Sequence, residues 1–168
     1  MAITKIQSES LNLADDYAFT GTITGAGGNN KPAFLAYRTS AQSSASGAAT
    51  KIQYDTELFD TDNCYDNTTN YRFTPTVAGH YFIFASTGST ASTDFEDHQV
   101  RIHRNGSEYG ITRLKHHYGD HMTIQGIVYL NGSTDYVEIY NYNGSGSSIN
   151  INGADRPQVR FGGYKIIE

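Results

Sequence analysis

Tryptophan is absent from this chain of 168 residues, cysteine occurs once and proline three times. Because Cys64 is alone, an intrachain disulfide is excluded, and the paired cysteines of many small secreted domains are missing. No run approaches the ~18 apolar residues of a membrane-spanning helix, so membrane insertion is not expected. No apolar segment of the kind found in a secretory signal peptide follows the first five residues. We therefore expect a soluble protein that is made in a cytoplasm and leaves the cell by another route, such as lysis.

Charge is also scarce, because charged side chains make up only 17% of the chain and the net charge is −5. A protein that binds nucleic acid usually presents a basic stripe or patch, so nucleic acid is not an expected partner. Residues 101–115 do contain Arg101, Arg104, Arg113 and Lys115. We interpret these four as solvated side chains on strand faces and in turns.

The chain is rich in Tyr and Gly, with 13 and 17 copies, and in Thr, Ser and Asn. No window carries the apolar stripe of an amphipathic helix, whereas short alternating segments and turn signals recur every ~8–12 residues. This pattern predicts about ten short strands in a β-sandwich or jelly roll. Residues 51–59 are predicted as one strand, and residues 40–50 and 60–70 as polar loops.

Two dipeptides predict local backbone geometry. Asn105-Gly106 lies between two alternating segments, and Asn-Gly is the strongest short signal for a tight β-hairpin. Gly162-Gly163 lies inside the last predicted strand, where glycine indicates a bulge or a close approach of backbone.

Residues 80–85 form the most informative segment, because they predict a strand with almost no polar side chain on either face. Side chains alternate across a strand, so Tyr81 and Ile83 point one way while His80, Phe82 and Phe84 point the other. One set fills the core. The other set must be shielded from solvent, since two exposed phenylalanines would leave an apolar surface patch that favours association. Either another subunit or another part of the same chain provides that cover, and we favour another subunit.

The same region resembles a known family. Tyr65-Asp66, Phe73-Thr74-Pro75 and Gly79-x-Tyr81-x-Ile83 resemble the signature of the globular head of the first complement component, q subunit. That family shares its trimeric jelly roll with tumour necrosis factor. Ile83 stands where the family usually has Phe, and Asp60 near where it usually has Asn.

The resemblance implies an all-β, ten-stranded jelly-roll sandwich over residues 31–168 that assembles as a homotrimer. In this family one sheet joins the first, middle and last strands, and trimers form by packing the outer faces of these sheets together. His80, Phe82 and Phe84 are then predicted at the trimer interface. The residues predicted in the core are Tyr81, Ile83, Phe73, Tyr65 and Phe161.

Residues 1–30 differ from the rest and are predicted to form an amino-terminal arm. They contain an alternating strand with Tyr17, Phe19 and Ile23, followed by a Gly-rich joint at residues 25–30. The opening is similar to amino-terminal segments of tailed-bacteriophage structural proteins, which place such a segment before exchangeable outer domains. This similarity implies an extended arm that docks on other virion proteins or helps trimerisation. The alternative is a loosely ordered tail packed on its own domain.

The sequence shows little sign of catalysis. No Gly-x-Ser-x-Gly elbow or phosphate loop occurs, and Cys64 has no evident base partner. His116, His117 and His121 are the densest set of metal-ligand types, but we interpret them as surface-loop histidines. Several acids suit calcium by chemistry and are interpreted as turn residues; they are Asp60, Asp62, Asp66, Asp94, Glu96 and Asp97. We therefore expect neither an enzyme nor a cofactor.

Together these observations favour a bacteriophage virion protein, a homotrimeric tail-fibre or knob head that attaches to a host surface glycan or protein. The loops predicted to make that contact are residues 40–49, 87–97, 116–121 and 143–148. One alternative is a capsid decoration protein that uses the same trimer as a clamp. A polysaccharide depolymerase is a further alternative.

Overall fold

The computed structural model describes residues 30–153 and 159–166. All regular secondary structure in these residues is β-strand, and no helix there is long and apolar enough to cross a membrane. The predictions for Tyr17, Phe19 and Ile23, and for most of the arm that contains them, lie outside the described residues.

The described chain forms thirteen antiparallel strands. They are β1 (Ala33–Tyr37), β2 (Gln42–Ser44), β3 (Ala49–Lys51), β4 (Thr56–Asp60), β5 (Tyr65–Asp66), β6 (Arg72–Phe73), β7 (Gly79–Gly88), β8 (Phe95–Arg104), β9 (Ser107–His116), β10 (His121–Leu130), β11 (Val137–Asn143), β12 (Ile149–Ile151) and β13 (Arg160–Lys165). One sheet has the order β10-β7-β13-β1-β4. The second has the order β5-β6-β11-β8-β9, with β3 also paired to β11, and β12 pairs with β2. The first, middle and last strands therefore share one sheet, as the jelly-roll resemblance implied.

Three short strands lie in segments predicted as loops, which raises the count above the predicted ten. These are β2 within residues 40–50, β3 across the end of that segment at residues 49–51, and β5 within residues 60–70. The single strand predicted for residues 51–59 is wrong, because β3 ends at Lys51 and β4 begins at Thr56. Between them, Ile52 donates its backbone N–H to the Ile139 carbonyl at 2.8 Å. Strands of two or three residues are too short to show a period of two in the sequence.

The core lies between the two sheets and centres on Phe34. Its ring stacks on Tyr65 and Phe73 at centroid distances of 4.9 and 4.4 Å, and meets Phe161 edge-on at 4.8 Å. Such aromatic pairs add to the free energy gained by burying their area. The residues predicted for the core all belong to this buried cluster; they are Tyr81, Ile83, Phe73, Tyr65 and Phe161.

Strand β7 shows the predicted alternation. Tyr81 and Ile83 are fully buried, whereas His80 is exposed and Phe82 and Phe84 are half-buried on the outer face of the sheet. Neighbouring strand β13 pairs with β7 in regular register and without a bulge.

The two glycines of β13 leave room for side chains of the neighbouring strand β7 to lie close to the β13 backbone. A Cβ at Gly162 would lie 2.5 Å from Cζ of Phe84, and one at Gly163 would lie 2.7 Å from Cδ1 of Ile83. The prediction for Gly162-Gly163 was a bulge or a close approach of backbone, whereas the nearest atoms are β7 side chains, which lie over both faces of β13.

The described chain begins and ends at the same end of the sandwich, which we call the base. There the Thr61 amide bonds the Ala33 carbonyl at 3.0 Å, and the Lys165 amide bonds the Pro32 carbonyl at 3.1 Å. The Ile166 amide bonds the His80 carbonyl at 2.8 Å. We call the opposite end, where β7 ends and β8 begins, the apex.

Two histidines are buried in the sandwich near the apex. His98 and His116 are each 1% exposed, and their ring centroids are 5.1 Å apart. His98 donates from Nε2 to the Asn141 side-chain oxygen at 2.7 Å. Within the described chain, Nδ1 of His98 and both ring nitrogens of His116 have no hydrogen-bond partner. Burial, more than the neighbouring His116 ring, lowers the pKa of His98 below its ordinary value of 6.5, although Asn141, Asp97 and Asp120 act in the opposite direction.

We expect the free energy of unfolding to decrease as the pH falls below 6.5. The unfolded chain takes up a proton at the ordinary histidine pKa, whereas native His98 resists it, so acid favours the unfolded state. This stability is fully present above pH 6.5 and is lost as the pH falls toward the lower native pKa. Urea denaturation at about pH 8 and about pH 5, at one protein concentration, measures the change.

The matched control is His98→Gln, which keeps an N–H donor but cannot titrate. Its unfolding free energy should fall less between the two pH values than that of the unaltered protein. Equal decreases in both proteins would show that His98 does not contribute to the acid sensitivity.

Candidate functional site

The four loops predicted to contact a host all lie at the apex. β2 pairs with β12, which brings residues 40–49 beside residues 143–150. The Thr90 amide bonds the Asn150 carbonyl at 2.9 Å, and the Gly144 amide bonds the Asp97 carbonyl at 2.8 Å. We call the surface formed by residues 40–49, 89–94, 117–120 and 143–150 the apical platform. The sequence predicted these four segments as loops, although residues 42–44 form β2, and it did not predict that they meet.

Two buried asparagines hold the platform together. Asn141 and Asn143 are fully buried, and Asn141 donates to the Ser44 hydroxyl at 3.1 Å. Asn143 donates to the carbonyls of Ser44 and Ser147 at 3.0 and 2.8 Å. Sequence reasoning missed both residues, although their alternation with Tyr140 and Tyr142 placed polar groups on the inward face of a strand.

A pocket of about 250 Å³ opens in the platform between the 89–94 and 143–150 segments. Hydroxyl and amide side chains dominate its lining, which consists of Thr90, Ala91, Ser92, Thr93, Ser145, Ser147, Ser148, Ile149 and Asn150. No charged or titratable side chain belongs to this lining. The pocket can therefore form hydrogen bonds, and its lining supplies hydroxyls but no titratable acid or base to activate them.

Charged residues surround the platform in pairs. Glu96 meets Lys115 at 2.6 Å and Asp97 meets Arg113 at 3.1 Å. Asp94 meets Nδ1 of His117 at 2.9 Å, and this hydrogen bond holds the pKa of the Asp94 carboxyl below its ordinary value. Exposed pairs of this kind contribute little to the free energy of unfolding. The pair of Asp94 and His117 links the 89–94 segment to the turn at residues 117–120, whereas the other two pairs link β8 to β9.

The three histidines considered as metal ligands lie in different environments. His116 is buried at the end of β9, where it stacks on Phe95 at 4.5 Å, so its interpretation as a surface-loop residue is wrong. It is buried because β9 extends one residue into the predicted loop and turns this side chain inward. His117 pairs with Asp94, and His121 begins β10 with its ring against Gly88.

No group of three or more His, Cys, Asp or Glu side chains in the described residues is arranged to hold a metal ion. Among the acids considered for calcium, Asp66 caps a turn by accepting the backbone N–H groups of Thr68, Thr69 and Asn70. These bonds, of which the one from Thr69 is strongest, hold the pKa of the Asp66 carboxyl well below its ordinary value.

A second surface covers the outer side of the five-stranded sheet. Phe82 lies between Ile127 of β10 and Tyr164 of β13, with its ring 5.6 Å from that of Tyr164. On the same side of the sheet, Leu35 of β1 pairs with Phe59 of β4, and His80 of β7 pairs with Tyr129 of β10. We call this surface the apolar face; its members are Leu35, Phe59, His80, Phe82, Phe84, Ile127, Tyr129 and Tyr164. Sequence reasoning found only the β7 members, because the others become neighbours only through strand pairing.

A depression between β7 and β10 borders the apolar face on its apical side. Phe82 and Phe84 line this depression of about 670 Å³ together with Thr123, Gln125 and Arg160. Half of the Ile127 side chain remains exposed, at 55%. Partly exposed aromatic and aliphatic side chains that are neighbours across five strands form a contiguous apolar patch, which is typical of a protein interface.

A third surface, on strand β9, is also apolar. Tyr109, Ile111 and Leu114 are between 45% and 50% exposed on this strand, which ends its sheet. The Tyr109 hydroxyl donates to the Ile127 carbonyl at 2.9 Å and so links this strand to β10. Ile111 and Leu114 pair with Arg101 and His98, so their side chains leave β9 on opposite faces. We call these three residues the apolar edge, since they lie on both sides of the edge strand and not on the outer side of the five-stranded sheet.

Solved structures share this fold at low sequence identity. The globular domain of zebrafish complement 1qA protein is 18% identical; the match covers 82% of this chain and 99% of that chain, with a TM-score of 0.50. Eiger TNF from S. frugiperda is 8% identical over 81% of this chain and 92% of that chain, with a TM-score of 0.60. PRD1 vertex protein P5 is 13% identical over 80% of this chain and 72% of that chain, with a TM-score of 0.56.

No protein-family model matches the chain, and no curated protein sequence matches it. The structural likeness agrees with the motif that runs from Tyr65 to Ile83. The chain therefore has the jelly-roll fold of the complement 1q and tumour necrosis factor heads.

Proposed function

We propose that this chain is the trimeric head of a bacteriophage virion protein that attaches the particle to the host surface. One observation carries the proposal: the four candidate contact loops converge on the apex, while the described chain starts at the opposite end. Residue 30 enters at the base, where Ala33 bonds Thr61. An arm that leaves from the base would therefore dock on the particle with the apical platform directed away from it.

The apolar face and apolar edge support a homotrimer. They are two different surfaces of one chain, and contact between different surfaces produces a head-to-tail arrangement that closes into a ring when the rotation allows. In this arrangement the β9 edge of one copy, with Tyr109 and Leu114, covers Phe82 and Phe84 of the next copy. The likeness to complement 1q and tumour necrosis factor heads favours a closed ring of three chains.

Two similarities support a virion role. The fold matches PRD1 vertex protein P5, and the opening segment resembles those of tailed-phage structural proteins. On this proposal Tyr17, Phe19 and Ile23 bind another virion protein, and the protein is released from the host by lysis with the particle. The role is non-catalytic, since binding at the uncharged platform pocket needs no reacting group.

We expect the combined substitution of Phe82→Asp and Phe84→Asp to abolish the trimer. Two carboxylates on the apolar face would have to be buried without partners on association, which is costly. Light scattering should give the mass of one chain for this variant, with circular dichroism confirming its β-structure. The matched control, Tyr118→Asp, changes an aromatic residue that is 73% exposed at the apex and should retain the mass of the unaltered protein.

A stable trimer of the double variant would show that the face around Phe82 is not the interface. If the double variant does not fold, Ile127→Asp alone tests the same surface, since this side chain is 55% exposed. That single variant should also weaken the trimer, and an unchanged mass would contradict the proposal.

The location on the particle is tested by electron microscopy of phage grown from the genome that encodes this chain. We expect density for three copies at a tail fibre or vertex, with the apical platform outermost. Density at three-fold positions on the capsid shell, with the platform against the shell, would instead indicate a decoration protein. Absence of the chain from purified particles would overturn the virion role.

A further inference from the structure

We infer that the pocket in the apical platform binds a neutral hexose unit of a surface glycan. This inference rests on the proposed attachment role and specifies its ligand class. The size of the pocket is the first argument, because about 250 Å³ is below the ~300–1,000 Å³ of pockets for drug-sized ligands. A single sugar ring suits such a volume, and the rest of a glycan chain would extend into solvent.

The second argument concerns hydrogen-bonding capacity. The hydroxyls of Thr90 and Ser145 already donate to the carbonyls of Asn150 and Ser147, at 3.3 and 2.8 Å, and so hold the pocket walls. Ser92, Thr93, Ser148 and Asn150 also line the pocket and are exposed. Their side chains make no hydrogen bond with another residue of the described ranges 30–153 and 159–166.

These remaining groups match the chemistry of a sugar. Serine and threonine hydroxyls and the asparagine amide each both donate and accept hydrogen bonds, as the hydroxyls of a hexose do. They come from two segments that are linked by the bond between the Thr90 amide and the Asn150 carbonyl, at 2.9 Å. The two backbone segments are therefore held together before a ligand binds, which lowers the entropy cost of binding.

The third argument is charge, which favours a neutral sugar over an acidic one. No Lys or Arg lines the pocket to pair with a carboxylate or phosphate. Asp94 directly follows the lining residue Thr93, and its carboxylate is held toward the turn at residues 117–120 by His117. The whole chain carries a net charge of −5, so an acidic sugar would approach a negative field.

An exposed tyrosine follows His117, the residue that pairs with Asp94 next to the pocket lining. Tyr118 is 73% exposed, and its backbone N–H bonds the Asp94 carboxylate, one residue from the pocket lining. Tyrosine supplies rigid contact area at low entropy cost, which is why binding loops use it. In this proposal Tyr118 contacts the apolar side of a neighbouring sugar unit.

The test uses the full chain and three small probes: methyl α-glucoside, methyl β-galactoside and N-acetylneuraminic acid. Saturation-transfer NMR and titration should show at least one neutral glycoside binding with a dissociation constant on the order of 1 mM, and weaker or no binding of the acidic sugar. Ser148→Leu places an apolar side chain in the pocket and should weaken binding by at least about tenfold. Ser92→Leu tests the opposite wall and should act in the same direction.

Ser107→Leu is the matched control, since it makes the same change at an exposed site at the base, on β9. It should leave the affinity unchanged. Neutral-glycoside binding that survives both Ser148→Leu and Ser92→Leu would overturn the assignment of the pocket. Preferred binding of the acidic sugar would overturn the ligand class.

Binding to intact cells of the bacterium that supports the phage separates this inference from the attachment role. If the protein binds those cells but no glycoside, the hexose inference fails and attachment stands. If the protein binds neither the cells nor a glycoside, the hexose inference and the proposed attachment role both fail. If Ser148→Leu loses cell binding and Ser107→Leu retains it, the protein attaches to the cells through this pocket.

Discussion

Strand β7 carries large apolar side chains on both of its faces, and most of the architecture depends on this constraint. Tyr81 and Ile83 fill the space between the two sheets. Phe82 and Phe84 lie on the other side and extend into an apolar face that spans all five strands of the sheet. A single jelly roll buries Tyr81 and Ile83 but leaves Phe82 and Phe84 partly exposed, so shielding these two rings from solvent requires another surface.

The magnitudes favour a partner that contributes many side chains. Burying one large apolar side chain stabilises by at most about 1.5–3 kcal/mol, and these side chains are already half covered. Association costs about 4–15 kcal/mol in lost freedom of motion. Two phenylalanines alone would not offset that cost. The full apolar face, together with the edge residues Tyr109, Ile111 and Leu114, supplies the additional area.

The direction of β7 also orders the molecule along its length. It starts at the base beside the ends of the described chain and finishes at the apex beneath the platform. A trimer built on its outer face would present three platforms on one side of the assembly. Three weak pockets that reach one surface together bind far more tightly than one, because the second and third contacts form at high effective concentration. Millimolar affinity for a single sugar is therefore compatible with firm attachment.

Local sequence signals predicted much of this fold. Asn105 and Gly106 have φ values of 52° and 78°, the left-handed geometry that their hairpin turn requires. The alternation in β7 correctly separated its core side chains from its outer ones. In contrast, β2, β3 and β5 were missed because these short strands lie in Ser-, Gly- and Asp-rich segments whose composition favours turns. His116 was misplaced because one added residue of β9 decides whether its ring faces solvent or Phe95.

The candidate site was less predictable than the fold, for a physical reason. The platform depends on contacts between distant parts of the chain, such as Asn141 with Ser44 and Gly146 with Ser46. No local pattern encodes which loops meet at one end of a sandwich. The family resemblance placed the first, middle and last strands in one sheet, but it did not reveal the pocket or the apolar edge.

Multi-angle light scattering of the unaltered protein, over a range of micromolar concentrations, tests the central claim most directly. If the outer face of β7 is shared between copies, the mass will be three times the chain mass of 18.5 kDa and independent of concentration. A constant mass of 18.5 kDa would contradict it, because the apolar face would then remain open in a stable single chain.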